Sequence, residues 1–453
     1  MWNELLKNKK RKMNKRSLYI YMSVVLALLS ISGTAQEMLS KQEAINAVLE
    51  NNFGIKVATN LTEIAENNAA FLNSGYLPSL TGIAGANYNI EDQDATFQDG
   101  SVRREDGAET VRYNASINMD YLLFEGLGRH YNYKALKEQY NLSALEARET
   151  IETTILQLFS VYYEVARLTE NVTVLEETLE NTKERLTRAE YQFEYGQNTK
   201  LEVLNAQVDI TADSVNLMNS LQQLRNTKRD LTVILNEDLE QQFNVDTLVA
   251  FTNELRLEEF LREAEQNNIR LLQAEQNIII SDYAYKSGKG LFLPRVGLTG
   301  SYGWNQGNFP STNFLASNTA YGFSGGVNLT WNLFDGGGAI TTLRNAKLQI
   351  NNQELFQQQI RTEVKRDIAN AKGNYENRLA IYRMQESNVE VAQSNFERSY
   401  ERYKSGQISS LELRQAQLNL LNARTTKNLA KYEAKLAELE LLQLTGQLLT
   451  IDF

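Results

Sequence analysis

Leu123-Phe124-Glu125-Gly126 returns as Leu333-Phe334-Asp335-Gly336, 210 residues further on. Gly196-Gln197, followed by Leu201-Glu202 and Ala206-Gln207, returns at the same displacement as Gly406-Gln407, Leu411-Glu412 and Ala416-Gln417. Leu77-Pro78 and Asn51-Asn52 return as Leu293-Pro294 and Asn267-Asn268, displaced by 216. Landmarks in one order, at displacements that differ by only six residues, mean a duplication. Such a repeat constrains the fold before any single motif does. The copies span 36–236 and 256–447, which leaves 237–255 and 447–453 as connecting segments.

Each copy reads helix, strand, loop, strand, very long helix, tight turn, return helix. Ser40-Lys41-Gln42-Glu43 is a capping box that predicts a helix over 40–74, with a counterpart over 256–288. Strands are expected at 79–91, 111–124, 295–306 and 320–334, because apolar residues there alternate with period two. Tyr321, Phe323, Val327, Leu329, Trp331 and Leu333 share one face of the last; Ser324, Asn328, Thr330 and Asn332 share the other. One apolar face with aromatics towards its ends suits the wall of a membrane barrel. In a soluble sandwich the same face would be core. After Gly126 and Gly338 no Pro interrupts the chain up to the turns at Gly196 and Gly406. Ile151, Leu158, Val165, Val172, Leu179, Leu186 and Phe193 recur at steps of seven, as do Ile368, Tyr375, Tyr382, Val389, Phe396 and Tyr403. That seam predicts supercoiled helices of roughly 100 Å. The return and opening helices, roughly 55 and 50 Å, then stack end to end to match one long helix. Four strands cannot close a barrel, and an open sheet edge does not survive in lipid. Copies must therefore associate, two giving eight strands and three giving twelve.

The 453 residues include no Cys, one His and three Pro. Disulfides, thiol nucleophiles, zinc–thiolate and two-His metal sites are thereby excluded, and catalysis has a single imidazole to draw on. Lys7, Lys9, Lys10, Arg11, Lys12, Lys15 and Arg16 precede an apolar run, Leu18 to Ile31, which ends at Gly33-Thr34-Ala35. This is the pattern of a signal peptide over 1–35, cleaved after Ala35, with Met13 an alternative start. Without that leader the chain has 39 basic and 55 acidic residues, a net charge of −16. Such a surface repels nucleic acid.

Gly322-Phe323-Ser324-Gly325-Gly326 matches a nucleophile elbow, but Ser324 falls in mid-strand, where the motif requires a strand-to-helix turn. Gly336-Gly337-Gly338 lacks the spacing of a nucleotide loop. His130 has no partner cluster and reads as a hydrogen-bonded helix residue. Glu91–Arg112, with seven carboxylates and three Arg, reads as a solvated strand connection. The turn motif is the most informative stretch. Gly196 and Gly406 end the long helices in the left-handed conformation. Thr199 and Ser409 are N-caps, and Glu202 and Glu412 complete capping boxes. Capping alone accounts for both carboxylates. In a symmetric oligomer each also becomes a ring around the axis, able to select cations.

From Ser40 to about Gly446 the chain resembles the outer-membrane efflux proteins, the TolC-like family. The resemblance rests on the duplication, the Leu-Phe-[Glu/Asp]-Gly strand ends, and the Gly turns followed by Leu-Glu. It implies a mixed α and β membrane protein. Three chains would form one twelve-stranded barrel, four strands from each, continued by a periplasmic coiled-coil tunnel of 126–236 and 338–447. An equatorial belt would form from 237–255 and 447–453. It implies a passive exit duct for efflux or type I secretion, in the outer-membrane lipid and joined to a periplasmic adaptor and an inner-membrane pump. No catalytic residue, metal or cofactor is expected. A coiled-coil scaffold of the envelope is the alternative. By the same resemblance Glu412 lies at the periplasmic aperture, with Glu202 and the aromatic Tyr403 near it. Gly196, Gln197, Gly406 and Gln407 would dock the adaptor. Two positions depart from the family: Gln415 stands in place of an Asp and Ile408 in place of an Arg.

Overall fold

The computed structural model describes residues 37–240 and 242–451; the leader expected over 1–35 lies outside the described residues. A short strand, β1 (Glu37–Leu39), leads into α1 (Lys41–Asn51). Ser40 caps α1 in a reciprocal box with Glu43. The helix then breaks at Asn52, whose φ of −61° and ψ of 129° are extended. Asn52 Oδ1 accepts the Gly54 and Ile55 N–H groups that begin α2 (Phe53–Ala69), at 2.8 and 3.3 Å. The single helix expected over 40–74 is thus two. The second copy breaks in the same way at Asn268, between α5 (Glu254–Asn267) and α6 (Ile269–Gly288), not running unbroken over 256–288.

Both asparagines also hold the staves together. Asn52 Nδ2 donates to Ile234 O at 3.1 Å, at the end of α4 (Lys200–Leu235). Asn268 Nδ2 donates to Leu444 O at 2.7 Å, at the end of α8 (Ser410–Leu444). A helix N-terminus therefore sits on a helix C-terminus, where the opposed partial charges attract. Only α2 and α6, not the whole opening helices, extend the return helices. These stacks run beside the two long helices, α3 (Gly128–Glu194) and α7 (Gly338–Lys404). In the upper half the wall runs α2, α3, α6, α7; in the lower half it runs α4, α3, α8, α7.

Above the wall lies one antiparallel sheet in the order β2 (Ser79–Thr96), β3 (Val102–Glu125), β5 (Arg295–Asn308), β6 (Ser317–Thr330). Register gives its two faces different chemistry. Ile117, Tyr302 and Phe323 line up across three strands, as do Tyr121, Leu298 and Val327. On the other face Asn118, Ser301 and Ser324 align, and Ser301 Oγ donates to Asn118 Oδ1 at 2.7 Å. The strand boundaries differ most from the sequence reading in two places, besides a hairpin of β5 and β6 that runs on to Asn308 and Ser317. Glu91–Arg112 is not a loop: β2 and β3 run on to a tight turn at 97–101, helped by pairs such as Arg104–Asp94 at 2.7 Å. The strand expected over 320–334 stops at Thr330, since the next hydrogen-bonding partner along β5 would be Leu293, whose N–H goes to Gly290 O at 3.0 Å instead. No helix among the described residues is long and apolar enough to cross a membrane.

The main core sits at mid-shaft, where Phe159, Tyr162 and Tyr163 of α3 pack against Leu231, Leu235, Leu439 and Leu442. A parallel pair of β1 with β4 (Phe243–Val245) covers it. The segment after β4 is strapped to α8 by side chains one or two turns apart. Tyr432 Oη donates to Thr247 O at 3.1 Å, and Lys435 Nζ to Ala250 O at 2.8 Å. Glu438 accepts from the Thr252 hydroxyl at 2.6 Å.

Candidate functional site

The ends of the two helical hairpins, α3–α4 and α7–α8, are built by the same local chemistry. Gly196 and Gly406 have φ of +68° and +75°. Gln197 N–H reaches back to Gln192 O at 2.7 Å, and Gln407 N–H to Arg402 O at 2.9 Å. With the bonds Gly196 N–H to Phe193 O and Gly406 N–H to Tyr403 O, these are two Schellman caps. A Cβ on either glycine would meet nothing within 4 Å, so the backbone angle alone demands glycine there. Gln197 and Gln407 are exposed at the extreme tips.

The return helices start differently. Ser409 and Glu412 form the full capping box: Glu412 Oε2 accepts from Ser409 N–H at 2.8 Å and from its hydroxyl at 2.9 Å. The Ser409 backbone bond, seconded by the hydroxyl, holds the exposed Glu412 carboxyl below its ordinary pKa. The box expected at Thr199 does not form; Thr199 makes no side-chain cap, and its own N–H is taken by Asn198 Oδ1 at 2.8 Å. Glu202 is left half-buried near Tyr403, close enough to oppose ionisation of that phenol. Tyr403 is buried with the Arg188 guanidinium 5.5 Å from its ring centre, and burial pushes its pKa up. Gln415 is exposed and donates to Asn419 Oδ1 at 2.9 Å. Glu202 and Tyr403 thus meet where the hairpins touch, while Glu412 and Gln415 share an exposed face one turn apart.

Behind the tips lies a buried cluster that sequence reasoning missed. Arg414 of α8 grips Asp213 of α4 with two bonds, Nη2 to Oδ1 at 2.7 Å and Nη1 to Oδ2 at 2.8 Å. Thr182 of α3 donates to the same Oδ2 at 2.7 Å, and Gln417 Nε2 donates to Thr182 Oγ1 at 2.9 Å. Arg185 pairs with Asp209 beside them. Further up, Asn428 Nδ2 donates to Asn171 Oδ1 at 3.0 Å. The α3–α8 seam, which joins one sequence copy to the other, is therefore polar below the core. Asn171, Thr178 and Arg185 at steps of seven were the available signal. Elsewhere, Ser324 faces Ser301 in the middle of β6 with strand on either side. His130 Nδ1 lies 3.4 Å from Tyr76 Oη. No group of three or more acidic or imidazole side chains among the described residues is placed to hold a metal.

This geometry has known relatives. The chain is 22% identical over 437 residues to the outer membrane efflux protein BepC of Brucella suis, covering 94% of this chain and 90% of that one. It is 24% identical over 448 residues to the outer membrane protein TolC of Vibrio cholerae, covering 96% of each. Its fold matches the CmeC outer membrane channel of Campylobacter jejuni with a TM-score of 0.73 at 18% identity, over 90% of this chain and 86% of that one. The outer membrane efflux protein family profile matches residues 44–237 and 260–447, the two copies of the repeat. The chain belongs to the outer membrane efflux protein family.

Proposed function

We propose that three copies of this chain close into one twelve-stranded barrel and tunnel, forming the passive outer-membrane exit duct of a tripartite efflux or type I secretion system. The observation that carries this reading is the sheet. Its order leaves β2 and β6 with one unpaired edge each, and one of its faces is apolar from Val296 and Leu329 up to Trp304 and Tyr321. Unpaired backbone in hydrocarbon costs several kcal/mol per group, so the edges must find each other in neighbouring copies. The wall below makes the same demand. α4 and α7 end the lower row, and Val208, Met218, Met384 and Val391 stand exposed on them.

In such a closed ring the apolar sheet face meets lipid and the Asn118–Ser301–Ser324 face meets the lumen. The tips carry Glu412 as a ring of three carboxylates, with Glu202 and Tyr403 behind it and Gln415 one turn further along. Gly196, Gln197, Gly406 and Gln407 present the surface on which a periplasmic adaptor docks, and an inner-membrane pump supplies the energy. The test is single-channel conductance of the detergent-extracted oligomer in a planar bilayer, with Glu412→Gln alongside. Cation selectivity that falls several-fold in the variant supports the aperture role. An unchanged selectivity returns Glu412 to capping alone, and an oligomer that conducts nothing removes the duct.

A further inference from the structure

Directly beneath the sheet, the adjoining segments of α3 and α6 are basic, bordered by Glu125, Glu138 and Asp282. Neither 126–137 nor 283–297 contains an Asp or Glu, in a chain whose net charge is −10. Four lysines there are laid over tyrosine rings. Lys134 and Lys286 both lie over Tyr283, at 5.8 and 5.4 Å, and Tyr283 stacks on Tyr131 at 6.3 Å across the α3–α6 seam. Lys137 lies 4.6 Å from the Tyr133 ring centre, and Lys289 lies 4.7 Å from that of Tyr285. Asp282 pairs with Lys286 at 2.5 Å and leaves the other three in excess.

Chirality decides which side of the wall they occupy. The hairpin bonds Phe97 N–H to Ser101 O and Phe309 N–H to Ala316 O set the parity of the ladders. Ile117 and Tyr302 are then a hydrogen-bonded pair on the apolar face. For L-residues, a viewer on that face who sees β3 run downward has β5 on the left. β3 leads into α3 and α6 leads into β5, so the same viewer has α6 to the left of α3. With Tyr131 and Tyr283 facing each other, a right-handed 100° per residue turns all four lysines towards this viewer. They continue the side of the apolar face. At its foot the Trp331 indole N–H donates to Phe292 O at 3.2 Å, three residues after Lys289.

The geometry points to this lysine–tyrosine cluster as a binding surface for the phosphate groups of anionic phospholipids in the periplasm-facing leaflet. The inference rests on the apolar sheet face being the lipid-facing wall. Tyrosine and lysine both place an apolar body against hydrocarbon and a polar end at the headgroups. Lys134 starts roughly 9 Å below the top of α3 and reaches up along its own stem. Each cation at an anionic surface strengthens association about fivefold. The far end of the sheet, with Asp92, Asp94, Asp99 and Glu105, repels the same lipid. The surface therefore fixes the height of the shaft in the bilayer.

The test uses the full oligomer in phosphatidylcholine vesicles containing one-fifth phosphatidylglycerol, with spin-labelled versions of each lipid read by electron paramagnetic resonance. The wild type should hold phosphatidylglycerol at its boundary at least fivefold over phosphatidylcholine, less so in high salt. The triple variant Lys134→Gln, Lys137→Gln, Lys289→Gln, which removes the three lysines left in excess, should bring the ratio near one, and the corresponding Arg variant should restore it. Equal ratios in wild type and Gln variant, or no preference in the wild type, overturn the proposal while leaving the duct intact. If neither label shows a boundary population, the chain is not in the bilayer, and both readings fall.

Discussion

Arg414 stands at the meeting of three helices with its guanidinium closed on Asp213, and both side chains are less than a tenth exposed. Removing one partner strands the other charge away from water, so Arg414→Ala should destabilise the hairpin packing by about 3–5 kcal/mol. Arg414→Met combined with Asp213→Leu should recover most of that loss, as read by urea unfolding of the oligomer. A cost for the double variant as large as for the single one would contradict this account of the pair. Glu412 supplies a pH dependence of known sign. Its folded pKa is lowered from 4.5, so its capping contribution is complete above the unfolded value and is lost as pH falls through the folded one. In Ser409→Ala that loss should move to higher pH, seen as cation selectivity of the pore failing earlier on acidification. Selectivity that fails at the same pH in both proteins would separate Glu412 from the pore. Glu412 was legible because Ser-x-x-Glu after a turn glycine has one local meaning. Arg414 was not. A charge on a helix, here between Leu413 and Gln415, reads as solvated until a third helix is known to cover it.

The same boundary between local and non-local meaning runs through the elements. Gly196 and Gly406 announced the hairpin turns because a left-handed residue is needed wherever such helices end. The breaks at Asn52 and Asn268 were hidden. Each asparagine repeats in sequence, yet its role depends on a carbonyl 182 or 176 residues away. Asn268→Ala should cost about 1–2 kcal/mol, from the lost cap and the unpaired Leu444 carbonyl. Gly446→Ala should cost more than Gly406→Ala, although both glycines have positive φ. A Cβ at Gly446 would lie 2.2 Å from Asn267 O, whereas at Gly406 it would meet open space. Thermal unfolding ranks the three variants, and a Gly406→Ala loss equal to that of Gly446→Ala would show that the stave junction is looser than drawn. Strand alternation revealed both faces of the sheet. It could not reveal how far β2 and β3 project, because acidic residues read as loop until Arg104 is seen beside Asp94.

At the scale of the molecule, every outer element is half of a contact. β2 and β6, α4 and α7 all close a row on one side and leave it open on the other. The proposal that closure takes several copies was readable from four strands and a lipid-facing pattern; the proposal of three comes from family likeness. The absence of cysteine makes the question direct. Within one chain β2 and β6 are three strand spacings apart, roughly 14 Å. A disulfide tolerates Cα atoms no more than about 7 Å apart, so an intrachain bridge is ruled out. Pairing one cysteine on β2, at Thr81, Gly85 or Asn87, with one on β6, at Ser324, Gly326 or Asn328, therefore reports only contacts between copies. Oxidised in the membrane and separated under denaturing, non-reducing conditions, the matched pair should give a covalent ladder that ends at a closed trimer. A ladder that ends at two copies, or chains that stay single for every pair, would contradict the closed twelve-stranded barrel.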